Sequence, residues 1–232
     1  MNDWFSGDVA ERYDTSTAAM PVEPVVDFLL PFASGGALEL AIGTGRIAVP
    51  LAARGVRVAG IDLSPDMVAQ LRKKTDELPV AIGDMAETTV DGTFSLVYIL
   101  FNSIFNLRTQ DAQVACFENA SAHLEPGGAF VIELMVPEVQ RLPRGDKFLL
   151  FDARSDHVGF DEFDLVTQGL TSHHYNPERG TYSSFPGRYI WPAELDLMAR
   201  IAGLTLRERW ADWDRSPFTA ESEKHISVWQ KT

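Results

Sequence analysis

The sequence predicts an α/β fold: a doubly wound, mostly parallel sheet with an inserted antiparallel β subdomain. Three observations lead there. Short apolar runs alternate with amphipathic segments over residues 35–135, those segments carry helix-start and helix-stop residues, and after residue 135 polar and apolar positions alternate with no long helical stretch. Parallel strands covered by helices on both faces read as continuous apolar runs, as these do.

The first five strand candidates are residues 37–42 (ALELAI), 57–61 (RVAGI), 79–82 (PVAI), 94–100 (FSLVYIL) and 129–134 (AFVIEL). A helix follows each of the first two. Ser64 reads as the N-cap of the second helix, with Pro65 at its first position, and Gly55 closes the helix before it. Residues 110–124 read as a further helix, and Glu125-Pro126-Gly127-Gly128 as a turn into the fifth strand. Residues 148–190 read as antiparallel strands separated by Gly and Asn-Pro. A helix over 192–204 opens at Trp191-Pro192 and closes near Gly203. Residues 204–212 and 224–230 read as a hairpin that completes a seven-stranded sheet, and Trp191, Trp210, Trp213 and Trp229 are expected to pack between it, the last helix and the sheet.

Composition narrows the partners. The chain has 232 residues, enough for one domain, and a formal net charge of −13. A nucleic-acid binder normally presents a basic face, so neither nucleic acid nor an anionic membrane surface is expected. A single cysteine, Cys116, cannot form an internal disulfide and reads as a small buried residue. Asp3, Asp8, Glu11, Arg12 and Asp14 do not suit a signal peptide, and no apolar run is long enough to span a bilayer, so a cytoplasmic location is expected.

Chemistry concentrates at the ends of the first four strands. Gly43, Gly45 and Ala48 have G-x-G-x-x-A spacing where a strand gives way to a helix, so the backbone can turn tightly and approach a ligand at the helix N-terminus. That motif alone leaves a nicotinamide-dependent oxidoreductase open. Glu39 sharpens it, because a carboxylate inside an apolar strand is costly without a partner. Asp62 ends the second strand at the distance from Gly43 where an acid accepts from ribose hydroxyls. Gly83-Asp84-Met85 follows the third strand; Asp84 could accept from an adenine amine while Met85 packs on the ring. Phe101, Asn102, Ser103, Phe105 and Asn106 follow the fourth and mix apolar walls with amide and hydroxyl groups.

The run Glu39-Leu-Ala-Ile-Gly43-Thr44-Gly45, the acid at 62, the Gly83-Asp84 pair, the segment FSLVYILFNSIFNL and the turn HLEPGGAFVIE together resemble the class I methyltransferases that use S-adenosylmethionine (SAM), of the small-molecule type. Tyr13-Asp14 resembles the Tyr-Asp pair on that family's N-terminal helix. The resemblance implies a Rossmann-like methyltransferase fold and SAM as cofactor. It places Glu39, Ala41, Gly43, Thr44, Gly45 and Arg46 at the methionine end, with Tyr13 against it. Asp62 falls on the ribose with Leu63 and Met67 nearby, and Gly83, Asp84 and Met85 fall at the adenine. Leu100, Phe101 and Asn102 run past the reactive methyl. Four parts are then expected: an N-terminal helical lid (1–34), a SAM-binding core (35–135), an antiparallel insertion forming a substrate wall (136–190) and a C-terminal helix and hairpin (191–232).

The acceptor is expected to be a small molecule, methylated at oxygen or nitrogen by in-line displacement and bound by Ser103, Phe105, Asn106 and Tyr175. A general base is needed only for a hydroxyl or a protonated amine. His173 and His174 are the base candidates; adjacent on a strand, at most one faces the cleft. His157 and His225 read as edge or surface positions, and His123 precedes a turn. No metal-ligand spacing is present. The aromatics Phe151, Phe160, Phe163, Tyr175, Tyr182, Phe185 and Tyr189 are candidates for a pocket lining or for core. A catalytically idle SAM-binding or protein-interaction module stays open as an alternative, and either a monomer or a homodimer is compatible.

Overall fold

A computed structural model describes residues 5–232; residues 1–4, Asp3 among them, lie outside the described part. The expected sheet is present. Strands β1 (Ala37–Leu40), β2 (Val58–Asp62), β3 (Val80–Ile82), β4 (Phe94–Ile99) and β5 (Leu124–Met135) are joined by β10 (Leu204–Trp210) and β11 (Lys224–Lys231) in the order β10-β11-β5-β4-β1-β2-β3. The first five pair in parallel, whereas β11 runs antiparallel to both β5 and β10. Strand order reverses at β1 and β4, which lie side by side. Their helices leave on opposite faces there, so a crevice opens at the carboxyl ends.

Side-chain alternation along β1 builds the two halves of the core. Leu38 and Leu40 face the layer that holds Phe117 of α5 (Gln110–His123) and Leu195 and Met198 of α6 (Pro192–Ile201). Ala37 faces the other layer, with Val25, Val26 and Leu29 of α2 (Glu23–Leu29) and Leu51 of α3 (Ala48–Ala53). Helix α4 (Pro65–Arg72) starts as expected, Ser64 Oγ accepting from the Met67 amide. Helix α1 (Asp8–Ser16) crosses the sheet's carboxyl edge and is tied there. Asp14 accepts from the Thr44 hydroxyl and pairs with Lys74 at 2.6 Å, and the Gly7 amide donates to Asp66 at 2.7 Å.

Three details differ from the sequence reading. Strand β1 stops at Leu40 because Ala41, at φ 62°, already turns the chain into the glycine loop. The Glu125–Gly128 turn is a bulge within β5: Leu124 pairs with Phe94, and regular pairing resumes at Leu96 with Ala129. Trp191 is 36% exposed, while Trp213 packs on Phe28 beneath the opposite face and only Trp229 sits fully buried against Phe117 and Phe130.

The antiparallel segment is a separate four-stranded sheet, β6 (Phe148–Ala153), β7 (Val158–Asp164), β8 (Gly169–Asn176) and β9 (Thr181–Arg188), in that order. One of its faces buries Phe163 and Leu170 in the main core. Gly187 on β9 makes the close approach to the main domain: a Cβ there would lie 2.8 Å from the Phe105 carbonyl oxygen. No helix of the described residues is long and apolar enough to cross a membrane.

Candidate active site

A cleft of about 930 Å³, its open mouth included, lies at the carboxyl ends of β1 to β4. Its floor is the turn after β1, where Gly43 has φ 56°. Asp62 Oδ2 accepts from the Gly43 amide at 2.6 Å, and Oδ1 from the Ser64 amide at 2.8 Å. One carboxylate thus holds the glycine turn against the start of α4 while facing the cleft. Asp84 accepts from the Ala86 amide at 2.9 Å and fixes the turn after β3. Met85 is buried beside it.

Glu39 is the unusual member. Parallel register sets it beside Tyr98 of β4, whose hydroxyl donates to Oε2 at 3.0 Å. Burial pushes the Glu39 carboxyl up to about 8; the Tyr98 bond and the Arg46 charge oppose the rise and the Asp62 charge adds to it. Arg46 is its cationic counterpart. Its Nη1 donates to the Met20 and Pro21 carbonyls and its guanidinium lies 3.9 Å from the Phe101 ring centroid. Nε and Nη2 are buried without a hydrogen-bond partner among the described residues. Burial lowers the Arg46 pKa, and Tyr13, Glu133, Glu39 and Asp14 counteract it. Buried N–H groups of a guanidinium are costly to leave unmet, so the site is built for an anionic group at that point.

The cleft gathers most of the expected cofactor residues: Tyr13, Glu39, Ala41, Gly43, Thr44 and Arg46 at one end, Asp62, Leu63, Met67, Gly83, Asp84 and Met85 along its length. Leu100, Phe101, Ser103 and Asn106 form the wall after β4. Ala41, Phe101 and Asn102 all have positive φ, strain of the kind that concentrates at ligand sites.

Six expected residues lie elsewhere. Gly45, at φ 73°, faces away from the cleft, and a Cβ there would meet Leu71 Cδ1 at 2.0 Å, so it serves helix packing. Asn102 turns its amide oxygen to the Met135 amide at 2.7 Å. Phe105 is core. Tyr175 is 42% exposed, opposite Tyr182. His173 shares that outward face, hydrogen-bonded to the Tyr182 hydroxyl and stacked on Phe160. His174 points to the inner face, yet its ring contacts Phe185 and His157 rather than the cleft lining. Of the remaining histidines, His225 is fully buried, contrary to expectation, and His123 is buried and accepts from the Val90 amide. Cys116 is buried, which raises its thiol pKa.

Phe5, Ile42, Ile47 and Ser64 line the cleft without having been expected there. Ser64 carried a helix-cap signal, and its hydroxyl also donates to the Phe5 carbonyl at 2.9 Å. Phe5 carries no local signal. Among the described residues, no group of three or more His, Cys, Asp and Glu is placed to hold a metal.

The fold and this cleft define an α/β protein with a ligand-sized cleft at the sheet's switch point. Comparison with known proteins agrees. A methyltransferase-domain family profile matches residues 37–128. Cypemycin N-terminal methyltransferase from a Streptomyces species is 30% identical over 208 residues, 84% of this chain and 82% of that protein. A dTDP-3-amino-3,4,6-trideoxy-alpha-D-glucopyranose N,N-dimethyltransferase from Streptomyces venezuelae is 32% identical over 120 residues, 52% of this chain and 50% of its own. The structure of the CcbJ methyltransferase from Streptomyces caelestis superposes with a TM-score of 0.83 at 36% identity, covering 97% of this chain and 96% of that one. SAM-bound CalS10, an amino pentose methyltransferase from Micromonospora echinaspora, shares the fold with a TM-score of 0.72 at 21% identity over the whole of both chains. The chain belongs to the class I SAM-dependent methyltransferase family; it is an enzyme, and SAM is its cofactor.

Proposed function

We propose that this enzyme methylates an amine nitrogen of a small molecule, with the acceptor held between the cleft and the inner face of the four-stranded sheet. The observation that carries the reading is the pairing at one end of the cleft: a buried carboxyl, Glu39, beside an arginine with two unmet N–H groups. Those charges complement the zwitterionic end of SAM. Arg46 would receive its carboxylate and Glu39 its ammonium. Asp62, which lines the cleft, would meet the ribose hydroxyls, and Asp84 with Met85 suits an adenine edge and face.

Bound SAM supplies an already activated methyl on a sulfonium. The protein's work is therefore positioning, which can contribute on the order of 7–11 kcal/mol when reactants are held in line. Leu100, Phe101, Ser103 and Asn106 would flank the transferring carbon and exclude water. The nitrogen acceptor is favoured over oxygen because one relative is named an N-terminal methyltransferase and another, matched over 52% of this chain, an N,N-dimethyltransferase of an amino sugar nucleotide. An amine also needs less activation than a hydroxyl.

The test has two parts. Calorimetric titration with S-adenosylhomocysteine and with NADH is expected to give binding of the first alone. Mass-detected methyl transfer to an amino-sugar nucleotide, a peptide with a free N-terminus and a phenol is expected to modify an amine. Preferential NADH binding would remove the cofactor assignment, and transfer to the phenol alone would remove the nitrogen.

A further inference from the structure

Strand β5 carries a second carboxylate inside an apolar run. Glu133 lies in AFVIEL (129–134) as Glu39 lies in ALELAI, and it is 8% exposed. A carboxylate so placed is costly unless its oxygens find donors. Here the donors come from two separate parts of the chain. Oε1 accepts from the Trp213 indole N–H at 3.0 Å, with the Lys224 ammonium at 3.6 Å. Oε2 accepts from the Phe101 amide at 3.3 Å. Trp213 is itself held edge-on against Phe28 of α2, and Lys224 pairs with Asp212 at 2.8 Å. The C-terminal hairpin and its loop therefore fix one oxygen, and the exit of β4 takes the other.

Oε2 holds a strained turn. The last regular pair between β4 and β5 is Ile99 with Ile132. Phe101 and Asn102 then both take left-handed φ, 54° and 60°, which non-glycine residues keep only where their surroundings over-determine it. The end of β5 does so with three hydrogen bonds. Besides the bond from the Phe101 amide, the Asn102 amide donates to the Glu133 carbonyl at 3.4 Å, and the Met135 amide donates to Asn102 Oδ1 at 2.7 Å. The turn places the Phe101 ring against Arg46, whose guanidinium carbon lies 3.9 Å from the ring centroid. That ring and the Met20 and Pro21 carbonyls hold the guanidinium, and its Nε and Nη2 are left unmet. The Glu133 charge also reaches Arg46: burial lowers the Arg46 pKa, and among the groups that oppose the fall Glu133 comes second to Tyr13. Glu133 does not line the cleft itself.

We propose that Glu133 is a positioning residue for the cofactor: by fixing the left-handed turn at Phe101 it sets the ring that carries Arg46, and so aims the unmet guanidinium N–H groups at the carboxylate of SAM. This role rests on the reading of Arg46 as the receiver of that carboxylate. Affinity for the amino-acid end of the ligand then depends on a side chain outside the cleft. It also depends on a carboxylate in particular. Glutamine has nearly the same size but one acceptor oxygen and one NH2 group, so it can meet only one of the two N–H donors. Lys224 beside Oε1 draws the glutamine oxygen to that side, which leaves the NH2 facing the Phe101 amide.

Calorimetric titration with two ligands tests the role. S-Adenosylhomocysteine carries the amino-acid end, whereas 5′-methylthioadenosine keeps the nucleoside and the sulfur without it. Glu133→Gln is expected to weaken S-adenosylhomocysteine about tenfold, the cost of one buried donor left without an acceptor, and to leave 5′-methylthioadenosine unchanged. Added to Arg46→Met it is expected to cost nothing more, because both changes act through the same guanidinium. In a Trp213→Phe background the second donor is gone and the glutamine oxygen can turn to Phe101, so there Glu133→Gln is expected to leave the affinity of Trp213→Phe as it was. Equal losses for both ligands, no loss for either, or a full further loss on top of Arg46→Met would each overturn the role. Arg46→Met alone separates this failure from that of the reading beneath it. If that variant spares S-adenosylhomocysteine, or weakens both ligands alike, the carboxylate assignment is wrong and the role of Glu133 goes with it. Selective loss in Arg46→Met with none in Glu133→Gln removes the role alone. If Glu133→Gln does not fold, Phe101→Leu keeps the backbone bond and removes the ring; it is expected to show the same selective loss, and unchanged binding there overturns the role as well.

Discussion

Replacing Glu39 by glutamine separates what this residue costs the fold from what it does for the ligand. Burial raises its carboxyl from 4.5 to about 8 in the folded protein. In the unfolded chain it titrates near the ordinary value. Between those two values the folded state holds a proton that the unfolded chain has lost, so stability falls as pH rises through that window and is level above it. At pH 7 about 2.5 pH units of the window have been crossed, at about 1.4 kcal/mol each, so ionisable Glu39 costs about 3 kcal/mol. Glutamine still accepts from the Tyr98 hydroxyl and carries no charge. Ligand-free Glu39→Gln is therefore expected to equal the wild type near pH 4.5 and to exceed it by up to about 3 kcal/mol at pH 7, a Tm gain of up to roughly 10 °C for a chain of this size. Binding moves the other way. The ammonium of the ligand needs the carboxylate, so wild-type binding at pH 7 is expected to release close to one proton and to strengthen towards pH 8, where the ligand's own amine (about 7.7–8.0) begins to discharge. Scanning calorimetry over a pH series reads the first effect. Titration calorimetry with S-adenosylhomocysteine in two buffers of different ionisation enthalpy reads the second. A Tm advantage that does not grow with pH, combined with wild-type binding that releases no proton, would refute the reasoning.

Two further outcomes follow from the same physics. Arg46→Met removes the unmet Nε and Nη2 donors, and a charge-assisted hydrogen bond is worth about 1.5–3 kcal/mol, so affinity for S-adenosylhomocysteine should drop by about tenfold to a hundredfold. Arg46→Lys should not restore it, because lysine lacks the planar fork stacked on Phe101. His225 is depressed to about 3, first by burial and then by the Arg209 charge, with Asp196 opposing. Below about pH 6.5 the unfolded chain takes a proton that the folded state refuses, so stability present above that value is lost as pH falls, by about 2 kcal/mol at pH 5. His225→Gln should flatten that acid slope in urea unfolding compared at pH 5 and pH 7.

The strands and helices of the core were legible because each is announced locally: an apolar run, a cap, a glycine after the last turn. The acids at 39, 62 and 84 were legible for a related reason, since a carboxylate in or beside a buried strand has to be explained by a partner. What each residue of the glycine turn faces was not legible. Spacing marks Gly43 and Gly45 alike, but backbone direction gives the first to the cleft and the second to Leu71. The side-chain direction of Asn102 was hidden for the same reason, because its left-handed φ of 60° swings the amide to the Met135 N–H. Phe5 was out of reach, since it is brought to the cleft by tertiary contacts, one of them to Ser64, 59 residues away.

His173 and His174 show where a period-2 pattern needs an anchor. Alternation says that the two point to opposite faces, and it is silent on which face is inward until one residue of known burial fixes the phase. Leu170 supplies that phase. It is buried in the main core, and residues 170, 172 and 174 share a face, so Ser172 and His174 are inward while His173 joins Tyr175 outside. On β7 the same phase runs through Phe163, Asp161 and Gly159. Gly159 has no side chain to occupy that face, and Phe151 lies over it; a Cβ there would meet the ring at 2.3 Å. Beside that gap His157 and His174 come within hydrogen-bonding distance across the strands. A larger residue at 159 would displace Phe151 and disturb the His157–His174 contact, so the glycine belongs to the inner-face arrangement as much as the histidines do.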